Sequence, residues 1–212
     1  MSVTKPFSIV VLISGSGTNL QALIDGCKEP HCPYSICGVF SDRKNAYGLE
    51  RAKKAGILTE IVSSYSILGE ERAKNASRDE KRFAVSNKVL ALAKSYGAKA
   101  LVLAGFLTVL GGAIIDEYEG NILNLHPALL PDFGGEGMWG HHVHEAVLKS
   151  GVKESGCTIH LVDKGCDTGK IILQKKVPVL PNDTVESLYS RIAPEEHKAI
   201  VEAVKLLALG KV

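Results

Sequence analysis

The chain has 212 residues, 45% of them hydrophobic and 23% charged, with a formal net charge of +2. That apolar share is enough for a sizeable core, and the length points to one large domain with room for two lobes. The near balance of charge gives no case for bulk attraction to nucleic acid or to a membrane surface, but leaves room for a small anion held by local loops.

Residues 1–6 lack a basic stretch leading into a signal-like apolar core, and the apolar run at 8–13 is too short to span a bilayer. A cytoplasmic location is therefore expected. The five cysteines lie at 27, 32, 37, 157 and 166. Cys27, Cys32 and Cys37 are five apart with His31 nearby, wider than the close pairs of a zinc site, so reduced thiols are expected.

In chain order, residues 7–13 form a continuous apolar run rich in β-branched residues, which predicts a buried parallel strand. Ser14-Gly15-Ser16-Gly17-Thr18-Asn19 follows, and Leu20 opens a helix that should end near Gly26. A strand, a Gly-rich turn and a helix aim free backbone N–H groups and a helix dipole at an anion. The dinucleotide fingerprint needs a third glycine where Leu20 stands, and the P-loop ending is absent. A single phosphate group is the functional reading, with Thr18 and Asn19 as added donors. A plain turn with glycines for steric room is the alternative.

Residues 36–40 predict a second strand, 46–55 a helix stopped by Gly56, and 58–62 a third strand. Residues 63–77 are polar without clear period and predict an exposed loop or frayed helix. An apolar stripe through Phe83, Val85, Val89, Leu90, Leu92 and Ala93 predicts a helix over 78–96. Residues 100–104 predict a buried strand, and the apolar stretch 107–110 is either core or the wall of a pocket for a flat ring. A short helix over 114–118 precedes the strand that holds Asn124 and His126.

Those two residues sit two apart, so an extended backbone points both to one face. An amide able to stabilise an oxyanion would then stand beside an imidazole that titrates near neutrality. Asp167, in a Gly-bounded loop about forty residues on, supplies a carboxylate that would orient the ring and favour its charged form. The alternative is an Asn and a His satisfying backbone groups near a strand end.

Residues 132–140 contain four glycines and the only tryptophan. They form either a lid or interface loop, or a packed turn with Trp139 folded on the core. His141, His142 and His144 lack a Glu or Cys at ligand spacing and would diverge on a helix, so no metal site is expected there. A helix should run to Gly151. Strands at 156–162 and 171–177 are linked closely enough to favour an antiparallel hairpin, so the sheet should be mixed. Two final helices are expected at 184–192 and 196–209, interrupted around Pro194.

Four segments occur in one order at fitting spacings: Ile-Ser-Gly-Ser-Gly-Thr-Asn-Leu-Gln-Ala at 13–22, Val-Leu-Ala-Gly-Phe at 102–106, Asn-Leu-His-Pro-Ala-Leu-Leu-Pro at 124–131, and Asp-Thr-Gly at 167–169 followed by Ile-Leu-Gln at 172–174. Together they resemble the phosphoribosylglycinamide formyltransferase family, the folate-dependent formyl-transfer enzymes of purine synthesis, over about residues 8–210. The resemblance implies an α/β, Rossmann-like three-layer formyltransferase fold. Its twisted sheet would be mostly parallel, with an antiparallel strand in the C-terminal half. It implies a single domain over 1–212, with a phosphate-binding half over about 1–120 and a catalytic, folate-binding half over about 121–212.

By the same resemblance, Asn124, His126 and Asp167 fall on catalytic positions, and Gly17, Thr18 and Asn19 on the phosphate-binding loop. Ala193, Pro194, Glu195 and Glu196 fall where the family contacts glycinamide ribonucleotide. Arg82, Leu107, Thr108, Val109, Leu110, Asn124, Asp163, Lys164, Gly165, Cys166 and Asp167 fall on folate-contacting positions. The implied co-substrate is 10-formyltetrahydrofolate. No metal, nucleic acid or membrane is implied, and the expected state is a monomer or homodimer. The sequence departs from the family pattern at Thr108 and Asp132, where basic residues are common, at Lys170, and in an apparent insertion at 133–139.

Related readings differ in their added parts. Formyltetrahydrofolate hydrolase is expected to carry an N-terminal regulatory domain, and methionyl-tRNA formyltransferase a C-terminal domain for tRNA. A non-catalytic nucleotide-binding module would have no use for Asn124, His126 and Asp167 together.

Overall fold

The computed structural model describes residues 6–212. Seven strands form one sheet in the order β3-β2-β1-β4-β5-β6-β7, and the chain divides into two compact units, residues 1–122 and 123–212. Among the described residues no helix is long and apolar enough to cross a membrane.

In the first unit, β1 (Phe7–Ile13), β2 (Tyr34–Ser41), β3 (Thr59–Ile61) and β4 (Ala100–Leu103) are all parallel. Ile9 to Ile13 are wholly buried because β1 lies between β2 and β4, which is why this run is continuously apolar rather than alternating. Helices α1 (Thr18–Gly26), α2 (Tyr47–Lys54) and α5 (Arg78–Ser95) follow or connect the strands. Where a loop or frayed helix was expected at 63–77, two short helices form, α3 (Ser64–Leu68) and α4 (Glu70–Asn75). Ser63 caps α3 by accepting the Ser66 N–H, and Ser77 caps α5 by accepting the Glu80 N–H. Each short helix spans less than two turns, and Ala73 alone is buried on them, so no period could show. Helix α6 (Ala113–Glu117) follows β4 and is capped at Tyr118.

In the second unit, β5 (Ile122–His126) pairs antiparallel with β6 (Glu154–Leu161), and β6 pairs antiparallel with β7 (Ile171–Pro178). The expected mixed sheet is thus present, with β6 as the reversed strand. Helix α7 (His141–Ser150) precedes β6, and α8 (Val185–Ala208) closes the chain.

Helix α8 corrects the expected break at Pro194: it is continuous for 24 residues with Pro194 inside it. A Thr184–Ser187 capping box starts it. Its buried stripe of Leu188, Ile192, Glu196, Ala199, Ile200, Ala203, Val204 and Leu207 runs past the proline without a change of phase. Burying one such aliphatic side chain gives about 1.5–3 kcal/mol. Several together outweigh the roughly 3 kcal/mol cost of an interior proline. Pro194 itself is exposed. Replacing Pro194 with Ala should therefore raise stability by about 1–3 kcal/mol in urea unfolding; a loss of stability would show that the helix depends on the ring.

Candidate active site

The site in the second unit is built from β5 outward. Asn124 and His126 lie on the same face of β5, as their spacing requires. Antiparallel pairing sets Asn124 opposite His160 and His126 opposite Thr158. A register shift between Ile159 and His160 marks an irregularity in the β6–β7 ladder, the kind of bulge that re-aims a side chain near a site. The His160 ring Nδ1 donates to the Leu161 carbonyl at 2.8 Å, so in the neutral ring Nε2 is an acceptor. The Asn124 amide donates to it at 3.0 Å.

Asp167 brings these groups together. Its Oδ1 is 3.4 Å from His160 Nε2 and 3.5 Å from Asn124 Nδ2. Its Oδ2 is 3.5 Å from His126 Nδ1 and accepts the Gly135 N–H at 3.0 Å. The His126 Nε2 donates to the Phe133 carbonyl at 2.8 Å. His126 is 3% exposed and His160 2%, so the charges act in a poorly solvated setting where they are weakly screened.

Burial lowers the His126 pKa, and the pull of Asp167 and the Phe133 carbonyl in the other direction does not overcome it. The expectation that Asp167 favours the charged ring is met in sign but not in net effect. For Asp167, burial alone would raise the pKa. The His160 hydrogen bond, the His126 charge and the Gly135 N–H together outweigh it and hold the carboxyl below its ordinary value.

The turn after β5 is fixed by Thr158. Its hydroxyl donates to the Ala128 carbonyl at 2.7 Å and accepts the Leu130 N–H at 3.0 Å. Gln174 Nε2 donates to the Leu130 carbonyl at 2.8 Å and to the Thr158 hydroxyl at 2.9 Å. The Asp167 loop is held by Asp163, whose Oδ1 accepts the Gly165 N–H and the Thr168 hydroxyl. Lys164 and Gly165 on that loop are exposed, and Cys166 is half-buried.

Trp139 is half-exposed and sits edge-on to His142 at 4.8 Å, so it is not folded on the core. His144 is buried, and burial with the nearby His141 and His126 pushes its pKa down to about 4. No group of three His, Cys, Asp or Glu residues among the described residues is placed to hold a metal. All five cysteines are free thiols. On α8, Ala193 and Glu195 are half-buried, and Glu196 is only 4% exposed.

In the first unit the Gly-rich turn leads into α1 one residue after Gly17, so Thr18 and Asn19 occupy the first helical turn, two residues earlier than expected. Their N–H groups precede the first intrahelical bond. Gly17 has φ 69°, and a Cβ there would lie 2.6 Å from Gly48 Cα. The close approach is reinforced by the Gly48 N–H to the Gly15 carbonyl and by Arg51 Nε to the Ser16 carbonyl. Leu107 and Val109 are exposed while Leu110 is buried, so the stretch is partly wall and partly core. Arg82 Nη2 donates to the Leu110 carbonyl at 2.8 Å, and its Nε has no partner.

Of the expected catalytic residues, Asn124, His126 and Asp167 all converge. His160 was recognised as lying in a strand but not as part of this cluster. Its only sequence signal is a lone histidine in an apolar strand; the β5–β6 register that gives it meaning is a tertiary property.

An α/β fold of this order, carrying an amide, two imidazoles and a carboxylate in one cluster, defines a class suited to transfer at a carbonyl carbon. A family model described as formyl transferase matches residues 7–204, and the chain belongs to that family. It is 36% identical over 204 residues to phosphoribosylglycinamide formyltransferase of Escherichia coli strain K12, covering 96% of this chain and 88% of that protein. It is 39% identical to the trifunctional purine biosynthetic protein adenosine-3 of Gallus gallus, covering 99% of this chain. The chain spans about a fifth of that longer relative, 19% of its length. The crystal structure of glycinamide ribonucleotide transformylase 1 from Symbiobacterium toebii superposes with a TM-score of 0.85 at 41% identity, covering 97% of this chain and 89% of that one.

Two outcomes are expected from this geometry. Thr158→Val leaves the buried Ala128–Leu130 turn without its hydroxyl and should cost about 1–3 kcal/mol in urea unfolding; an unchanged midpoint would remove Thr158 as the anchor. Asp167→Asn removes an upward pull on His126, so the His126 titration followed by NMR should move to lower pH. An upward move would reverse the assignment.

Proposed function

We propose that the protein transfers the formyl group of 10-formyltetrahydrofolate to the amine of glycinamide ribonucleotide in purine biosynthesis. The observation that carries this reading is the Asp167 carboxylate beside Asn124, His126 and His160, in a chain of the formyl transferase family.

The amine nitrogen attacks the formyl carbon, and the carbonyl oxygen takes up negative charge. The Asn124 amide exchanges its long contact to Asp167 for that oxygen, while its short bond to His160 keeps it oriented. His126, once protonated, is the second donor. One such donor is typically worth about 3–4 kcal/mol of barrier. The proton lost by the amine passes by way of His126 and Asp167, directly or through water, to folate N10 as the C–N10 bond breaks. No covalent enzyme intermediate is required.

Gly17, Thr18 and Asn19 are proposed to hold the ribonucleotide phosphate, supported by their place at the N-terminus of α1. Ala193, Pro194, Glu195 and Glu196 are proposed to contact the rest of the ribonucleotide. Folate is proposed to contact Arg82, Leu107, the backbone of Thr108, Val109, Leu110, Asn124 and the 163–167 loop. The exposed Leu107 and Val109 support an apolar wall for its ring.

The direct test mixes purified protein with glycinamide ribonucleotide and 10-formyltetrahydrofolate and looks for formylated ribonucleotide. Release of formate without that product would replace transfer by hydrolysis. His126→Ala and Asp167→Asn should each lower kcat by about a hundredfold or more while retaining native circular dichroism. Near-normal turnover in both would remove their roles.

A further inference from the structure

Besides backbone bonds that join Ala104 and Gly105 to β1 and the residue after it, the segment between β4 and α6 is tethered by four hydrogen bonds that involve side chains. Leu107 N–H donates to Ser14 Oγ at 2.8 Å, Arg82 Nη2 donates to the Leu110 carbonyl at 2.8 Å, and Gly111 N–H donates to Ser86 Oγ at 3.0 Å. The fourth differs in kind. Thr108 Oγ1 donates to Asp42 Oδ2 at 2.7 Å, joining two side chains 66 residues apart.

Asp42 directly follows β2 and is 9% exposed. Its Oδ1 has no partner, and it forms no ion pair among the described residues. The helix that follows is capped at Ala46, so Asp42 is not its N-cap. A carboxylate buried without an opposite charge is costly unless it is hydrogen-bonded. The bond it does make is short enough to be charge-assisted. Its contact therefore acts on Thr108.

Thr108 lies between Leu107 and Val109, which are 44% and 42% exposed. Burial alternates along this stretch: Phe106 and Leu110 are buried, Leu107 and Val109 exposed, and Thr108 half-buried between them. Holding Thr108 inward thus turns Leu107 and Val109 outward.

We infer that Asp42 is a positioning residue for folate: through Thr108 it fixes the face of the 107–110 segment that presents Leu107 and Val109 to the flat ring. This inference rests on the proposed folate contact of that segment. Asp42 does not touch the reacting atoms and takes no part in proton transfer.

The test measures KM for each substrate, kcat, thermal midpoint and hydrogen exchange of residues 106–111 in Asp42→Ala, Thr108→Val, Thr108→Ser and the Asp42→Ala/Thr108→Val double variant. Asp42→Ala and Thr108→Val should each raise the KM for 10-formyltetrahydrofolate about tenfold. The KM for glycinamide ribonucleotide and kcat should stay within about threefold. Thr108→Ser keeps the hydroxyl and should restore the folate KM. The double variant should be no worse than either single one, because both remove the same bond. Exchange at 106–111 should quicken in both single variants.

An unchanged folate KM, an equal rise for both substrates, or additive losses in the double variant would overturn the inference. If Asp42→Ala fails to fold, Thr108→Val and Thr108→Ser decide it. If the wild-type protein transfers no formyl group, the proposed function fails by itself. Unchanged exchange at 106–111 in the variants would separately overturn the anchor.

Discussion

The arrangement of the second unit depends on one half-hidden carboxylate. Asp167 is held at φ 57°, a left-handed conformation that Asp tolerates better than most residues because its short polar side chain bonds locally. The loop compensates for the strain: Asp163 accepts two bonds from Gly165 and Thr168, and Gly169 passes so close to the Leu161 carbonyl that a Cβ would sit 1.9 Å away. In return, each Asp167 oxygen faces two polar groups, one pair on each side. Without the carboxylate, the Asn124 amide, the Gly135 N–H and the two imidazole rings would lose the one group that all four face.

The same logic appears in the first unit with different residues. Loops leaving the C-terminal ends of parallel strands must satisfy their own polar groups while keeping a ligand-facing side. Here Ser14, Asp42, Arg82 and Ser86 take the inward contacts of the segment after β4. The outward side is left to apolar Leu107 and Val109. Thr108, half-buried between them, has a defined partner in Asp42.

Most of the strands were legible because their apolar runs are unambiguous. Residues 9–13 and 100–103 are buried on both faces and carry no polar interruption. The Asn124–His126 pair was legible because period two is a local property. Three things were not. The 63–77 helices are too short for a period, and only α3 has a side-chain cap, Ser63. The continuity of α8 through Pro194 depends on a buried stripe that outweighs a local breaker. His160 depends on strand register and a bulge, which no local pattern encodes.

The two pKa directions follow from burial and from the charges around each group. Burial keeps the His126 ring neutral near pH 7, and Asp167 is held ionised. The linkage has a sign for each. The depressed Asp167 pKa gives stability that is present above its unfolded value and lost as pH falls through the folded value. The depressed His126 pKa means that acidification below about 6.5, the unfolded value, favours the unfolded chain, which binds that proton more readily. At neutral pH the Asp167–His126 pair thus carries one negative charge and has capacity for one proton. An attacking amine sheds one proton as it becomes an amide. Under the proposed transfer, the pair would take that proton without building up net positive charge in a poorly solvated site, and the imidazolium so formed would be a donor for a tetrahedral oxyanion. A ring already charged at rest could donate but could not accept. In the proposed reaction, burial that disfavours the charged ring, opposed by a nearby carboxylate that favours it, would let one side chain do both in sequence.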